Sequence, residues 1–168
     1  MGHDKNRPLY ETASDRSHEQ RAFPVIAGHL SRRWRAEVNP KKMPHKHFSD
    51  CVMIGRDGKV RAYVEYKKRG MSWGDYPTIM LSASKYLRLD EVRNLPDVGA
   101  YFAVEDKFGS IRMVDLHSPV SGMFVVWGGR TASTRDSMDI EPVCHFPVRS
   151  FEEVGYVDDT GGEVPPNR

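Results

Sequence analysis

Residues 49–70 read SDCVMIGRDGKVRAYVEYKKRG: two β-type runs, CVMIG and KVRAYVEYKK, on either side of Asp57-Gly58. Asp-Gly between such runs is a strong local signal for a two-residue hairpin turn. With Asp57 and Gly58 as the loop, Arg56 pairs with Lys59 and the register carries Asp50 opposite Glu65. Side chains alternate along a strand, so Lys67 shares the face of Glu65. Cys51, Met53, Val60, Ala62 and Val64 then line the other face as candidate core. A slip of one residue would move the whole set to the wrong side.

Facing residues on paired strands hold their Cβ atoms about 5 Å apart, so like charges there oppose folding. At an effective dielectric near 20 the repulsion is about 3 kcal/mol. A fold tolerates this if one carboxylate is protonated, if the side chains splay into water, or if a cation sits between them. Two carboxylates completed by water and phosphate oxygens suit Mg²⁺, which seldom uses an all-protein cage. Lys67 beside them could orient a metal-bound water or stabilise charge developing on a phosphorane, as metal-assisted phosphodiester hydrolysis requires.

Asp50 followed by Glu65-Tyr66-Lys67 at the end of the next strand resembles the PD-(D/E)xK nuclease superfamily. The order helix, hairpin with D and ExK, helix, strand is also similar. The likeness covers about residues 15–117 and is closest to small phage-type members. It implies an α/β fold, a restriction-endonuclease-like mixed β-sheet flanked by helices. It further implies Asp50 and Glu65 as ligands of Mg²⁺ (or Mn²⁺), the Tyr66 backbone carbonyl as a further ligand, and Lys67 as the catalytic lysine. Glu19 resembles the first-helix glutamate that many members add to the metal site. Lys85, in YPTIMLSASK, resembles a phosphate contact. One departure is Ser49, which stands where the motif commonly has proline.

The charge distribution agrees with a phosphate-binding surface. Residues 31–70 carry twelve Lys and Arg against four Asp and Glu, a formal +8, which leaves −6 on the rest of a chain whose net charge is +2. Such a basic segment is the footprint of a nucleic-acid binder, although a charge run alone is more often a solvated face. Arg32, Arg33, Lys41, Lys42, Lys46, Lys68 and Arg69 are the expected DNA-backbone contacts, with little base specificity.

Length and composition set the frame. A chain of 168 residues suits one domain with its own core. No apolar run approaches the ~18 residues that span a bilayer, and the polar N-terminus lacks a signal-peptide core, so no membrane partner and a cytoplasmic location are expected. Cys51 and Cys144 read as reduced thiols rather than a disulfide.

The expected organisation is a flexible lead-in over 1–13, a nuclease-like domain over 14–150 and an acidic tail over 151–168, disordered beyond Gly155. An amphipathic helix, capped by Ser14 or Ser17, places Glu19, Phe23, Ile26, Leu30 and Trp34 on one face, with Pro24 as its difficulty. VNPKKMPHKH reads as a basic loop. YPTIMLSASKYLRLDEVRNL reads as a helix with Asp75 as N-cap and Pro77 in its first turn. VGAYFAVEDKFGSIRMVDLHS reads as a strand pair, GMFVVWGGR as a strand, and EPVCHFPV as a last strand.

Three other constellations carry less. Ser82 and Lys85 form an S-x-x-K without the partner motifs of penicillin-recognising enzymes. His45, His47, Cys51, Cys144 and His145 lack the paired spacing of structural zinc sites. Trp34 and Trp127 read as core, and Trp73, in a Gly-rich loop, as core or as a platform for an unpaired base. The function expected is divalent-metal-dependent hydrolysis of DNA, with a catalytically inactive nucleic-acid-binding module of the same fold as the alternative. Enzymes cutting both strands often act as dimers, which makes a homodimer a candidate assembly.

Overall fold

The computed structural model describes residues 12–129, 137–157 and 163–164. Its elements are α1 (Ala13–Trp34), β1 (Val38–Lys42), β2 (Cys51–Gly55), β3 (Val60–Lys68), β4 (Thr78–Ser82), α2 (Ala83–Glu91), β5 (Gly99–Glu105), β6 (Ser110–Asp115), β7 (Phe124–Gly129), β8 (Ile140–Pro147), β9 (Glu152–Val157) and β10 (Glu163–Val164). One sheet has the order β1-β2-β3-β5-β6-β9-β10 and the other β4-β8-β7. The β3–β5 pair is parallel and the other described pairs are antiparallel, so the larger sheet is mixed.

The chain stacks in three layers. Ala22, Phe23, Ile26 and Leu30 of α1 bury one face of the large sheet with Cys51, Met53, Ala62, Val64 and Ala103. The opposite face, with Phe102 and Val104, packs on Leu89 of α2 and on Ile79, Leu81 and Phe146 of the small sheet. β5 is therefore buried on both sides. Among the described residues no helix is long and apolar enough to cross a membrane.

α1 starts earlier than expected. Thr12 is its N-cap: the Asp15 N–H donates to the Thr12 hydroxyl at 3.1 Å, and the Thr12 N–H donates back to the Asp15 carboxylate at 2.7 Å. This reciprocal box satisfies two donors that a helix start otherwise leaves open. Ser14 and Ser17 lie inside the helix, and Pro24 is tolerated there on the solvent side. Residues 1–11 of the expected lead-in lie outside the described residues.

Four expectations change. VNPKK is a strand rather than a loop, because β1 is an edge strand, where a proline lacking its N–H is accommodated. TIMLS is β4 rather than the start of a helix: Ile79 and Leu81 are buried and Met80 is exposed, a period of two. Asp75 accepts from the Ser72 N–H at 2.8 Å, and the helix begins at Ala83. Residues 151–157 belong to the folded domain, since Phe151, Val154 and Val157 are buried and β9 pairs with β6. Residues 158–162 and 165–168 of the expected tail lie outside the described residues.

The tryptophans divide. Trp34 packs against the α1-side core and on Tyr101. Trp73 donates its indole N–H to the Ser110 carbonyl at 3.1 Å and packs on Phe151 and Arg112, so it is part of the packing. Trp127, expected in the core, is 74% exposed on β7, an edge strand of the small sheet.

Candidate active site

The hairpin that builds the site is not the one the turn signal suggests. The loop has three residues, Arg56 to Gly58. The Gly58 N–H donates to the Gly55 carbonyl and the Gly55 N–H to the Lys59 carbonyl, each at 2.9 Å. Gly58 has φ +77°, the left-handed conformation that closes a three-residue turn. From such a turn Ile54 pairs with Val60, one residue out of the expected register. A bulge corrects it, because the next pair is Met53 with Ala62, which leaves Arg61 as the extra residue. Arg61 is held there by an ion pair of 2.8 Å to Asp57 in the turn. Val52 then faces Tyr63 and Cys51 faces Val64, so the expected pairing is restored by two offsets that cancel. Without the bulge Glu65 would point to the face opposite Asp50.

Asp50 stands one residue beyond the last of these pairs. Its N–H donates to the Val64 carbonyl at 3.1 Å, and its carboxylate, rather than its backbone, accepts from the Tyr66 N–H at 2.8 Å. Ser49, in the usual proline position, is buried and shares a hydrogen bond of 3.1 Å with the His47 ring. Glu65 and Lys67 pair with Phe102 and Val104 of β5, which places them on the α2 side of the sheet.

Four charged groups meet there. The Glu65 carboxylate is completely buried, and its Oε1 accepts from Lys67 at 2.7 Å and from Lys85 at 2.5 Å. Lys67 lies 3.6 Å and Lys85 4.0 Å from the Asp50 carboxylate. Glu65 Oε2 is buried and takes no donor from either lysine or from the backbone; the polar group in hydrogen-bonding reach of Glu65 on that side is the Asp50 carboxyl. Burial, seconded by the Asp50 charge, pushes the Glu65 carboxyl above its ordinary range against the pull of the lysines. Burial also opposes the charge on Asp50, but Lys67, Lys85 and the Tyr66 N–H outweigh it and hold that carboxyl below the ordinary range. For Lys67, desolvation is likewise outweighed by the Glu65 and Asp50 charges, which raise its pKa. Two carboxylates thus respond in opposite directions, and Lys67 stays a charged donor rather than a base.

Glu19 is not gathered with them. It pairs with Lys42, and its charge is felt by Tyr66 and Cys51, whose side chains belong to the α1-side core. Among the described residues no three His, Cys, Asp or Glu side chains form a group that could hold a metal by themselves. The orphaned Glu65 oxygen beside Asp50 nevertheless fits a cation that takes two carboxylates and completes its shell with water and phosphate.

The expected DNA contacts are spread unevenly. Lys41 and Lys42 lie at the site end of β1, where Lys42 pairs with Cys51, and Lys46 is exposed in the loop that follows. Lys85 is part of the charge cluster, Lys68 serves the buried Glu105, and Arg69 donates to the Met80 carbonyl at 3.0 Å. Arg32 and Arg33 close the last turn of α1, and Arg33 pairs with Glu152. Arg33 also lines a surface cavity of ≈ 960 Å³ with Arg35, Arg56, Arg61 and Asp115, at the opposite end of the sheet from Asp50. That cavity is unconnected with the carboxylate cluster.

Ser82 contacts Ser84 and Glu141 rather than Lys85, so S-x-x-K is a sequence coincidence. Cys51 and Cys144 sit in different cores, so the His and Cys residues set aside as a zinc site are not brought together. The Tyr66 N–H and the direct Lys85–Glu65 contact were not legible in the motif. No curated protein and no solved structure matches the chain. A family model described as "Phage putative PDDEXK endonuclease" matches residues 5–154, nearly the whole chain, and with this α/β mixed-sheet fold the chain belongs to that family of PD-(D/E)xK phage-type nucleases.

Proposed function

We propose that this chain is an Mg²⁺-dependent (or Mn²⁺-dependent) deoxyribonuclease that hydrolyses DNA phosphodiester bonds. The observation that carries the reading is the meeting of Asp50, Glu65 and Lys67 on one face, with one buried carboxylate oxygen left without a donor. A buried carboxylate oxygen that no lysine or backbone group serves, next to a second carboxylate, is one that a bound cation or water can satisfy. Asp50 and Glu65 would hold the ion, with the Tyr66 carbonyl as a further ligand. Glu19 would join them only by giving up Lys42. When bound, a divalent ion supplies Lewis-acid polarisation of phosphoryl oxygens and a more acidic water. Lys67, kept charged by the carboxylates, donates a hydrogen bond that orients the attacking water or stabilises the equatorial oxygens as charge builds.

The backbone contacts of this reading are Lys41, Lys42, Lys46, Lys68, Arg69 and Lys85 near the site. Arg32 and Arg33 would meet only a duplex running the length of α1, about 30 Å. A homodimer would place two such sites on opposite strands.

Plasmid nicking with Mg²⁺ tests the proposal. Wild type nicks, and both Asp50→Ala and Lys67→Ala lose the activity. Salt-sensitive binding with no cleavage under Mg²⁺ or Mn²⁺ would instead identify an inactive module that keeps the fold.

A further inference from the structure

Asp50 and Glu65 already face two cationic side chains: Lys67 and Lys85 both contact Glu65 Oε1 and lie 3.6 and 4.0 Å from the Asp50 carboxylate. A divalent ion held by the same two carboxylates would lie close to both ammonium groups and be repelled by them, so ion and ammonium compete for one place.

We propose that Lys85 is a placeholder cation, which holds Glu65 in the metal-free protein and is expelled by a divalent ion toward substrate phosphate. This inference rests on the metal-dependent reading above. The geometry selects Lys85 over Lys67. Lys67 is tied to the central strand, two residues from Glu65 and paired through its backbone with Val104, and it reaches both carboxylates. Lys85 enters from the first turn of α2 at the end of a flexible stem; the two lysine side chains are about equally exposed, 32% for Lys85 and 34% for Lys67, so what separates them is this anchoring and not access to solvent. It donates to the same Oε1 that Lys67 already serves, so its departure leaves that oxygen with a partner. Oε2 gains nothing from either lysine and stays available. Once displaced, Lys85 becomes a free ammonium at the mouth of the pocket, the chemistry that meets a phosphate brought in beside the ion.

Lys85 and the ion then compete, which reverses the sign expected of a residue that merely supports the fold. Mn²⁺ titration by calorimetry reads this directly in wild type, Lys85→Met, Lys85→Gln, Lys85→Arg and Asp50→Asn. Lys85→Met is expected to bind Mn²⁺ at least tenfold more tightly than wild type, and Lys85→Gln covers the case in which the methionine variant does not fold. Lys85→Arg keeps the charge and stays within about threefold of wild type. The melting temperature gives a second readout: Lys85→Met melts below wild type in EDTA, and the gap closes at saturating Mn²⁺.

Tighter binding after loss of the charge supports the proposal, including the case in which wild type binds too weakly to measure and the variant does not. Equal or weaker binding in both uncharged variants overturns it. If wild type binds Mn²⁺, Asp50→Asn abolishes that binding and the Lys85 variants are unchanged, the role of Lys85 falls while the metal-dependent reading stands. If no protein in the series binds Mn²⁺, both fall.

Discussion

Two glutamates are buried near the C-terminal ends of the neighbouring parallel strands β3 and β5, on opposite faces of the same sheet. Glu105 is served one donor to each oxygen: Lys68 reaches Oε1 and the Tyr66 hydroxyl reaches Oε2. Glu65 has two ammonium donors on Oε1 and none on Oε2, and a second carboxylate, Asp50, shares its lysines. Both glutamates have a lysine partner, so an ion pair alone does not distinguish them. The distribution of donors does. Glu105 is a closed network on the α1 side of the sheet, whereas Glu65 has two lysine donors on one oxygen and none on the other. A closed network has no place for a ligand, and an unbalanced one is held ready for one.

The largest test of this difference is catalytic. Glu65→Gln should reduce plasmid nicking by about 1,000-fold or more, the scale of losing a main electrostatic element of such a site. Glu105→Gln should stay within about tenfold in the same assay at fixed Mg²⁺. Comparable losses in both variants, with both proteins folded, would erase the distinction.

Stability should rank them the other way. In Glu105→Gln the amide must set its NH₂ against either the Lys68 ammonium or the Tyr66 hydroxyl, which leaves a buried donor unpaired and costs about 3 kcal/mol in urea unfolding. In Glu65→Gln the amide oxygen keeps the lysines and the NH₂ takes the position where no donor stands. It also removes one member of a like-charged pair, so the cost should be under about 1 kcal/mol. Tyr66→Phe sharpens the same point by removing one donor from Glu105 while leaving the Tyr66 N–H on Asp50. It should cost about 1–2 kcal/mol and leave Mn²⁺ affinity unchanged.

The sequence carried the site further than it carried the scaffold, and particular residues show why. Asp50, Glu65 and Lys67 share a face because alternation is local, and the expected pairing held although the turn is one residue longer than its Asp-Gly signal suggests. The compensation came from a bulge at Arg61, whose side chain pairs with Asp57 in the turn, a local feature that no periodicity reveals. β4 was hidden because its partner β8 is more than sixty residues away: Met80 faces His145, and only that pairing turns TIMLS from a helix-like run into a strand. β1 and β9 were hidden by composition. Proline and lysines disguised an edge strand, and acidic residues with Gly155 disguised a strand that buries Val154 and Val157. Lys85 was legible as a cation, but its partner Glu65 became so only when the crossover through β4 and α2 brought that helix over the sheet.

The smallest expected effect lies at Glu19, the one acid that the motif assigns to the site and that the fold pairs elsewhere. Its Lys42 partner is partly exposed, so Lys42→Ala should change stability by less than about 1 kcal/mol. The consequence of interest is the release of the Glu19 carboxylate. If Lys42 holds it back from the ion, Mn²⁺ affinity should rise in the variant, and the modest strength of such a pair limits the gain to about fivefold. An affinity identical to wild type would place Glu19 with Tyr66 and Cys51 on the α1 face, among the residues that order the sheet. The open network around Glu65 would then consist of Asp50, Lys67 and Lys85 alone.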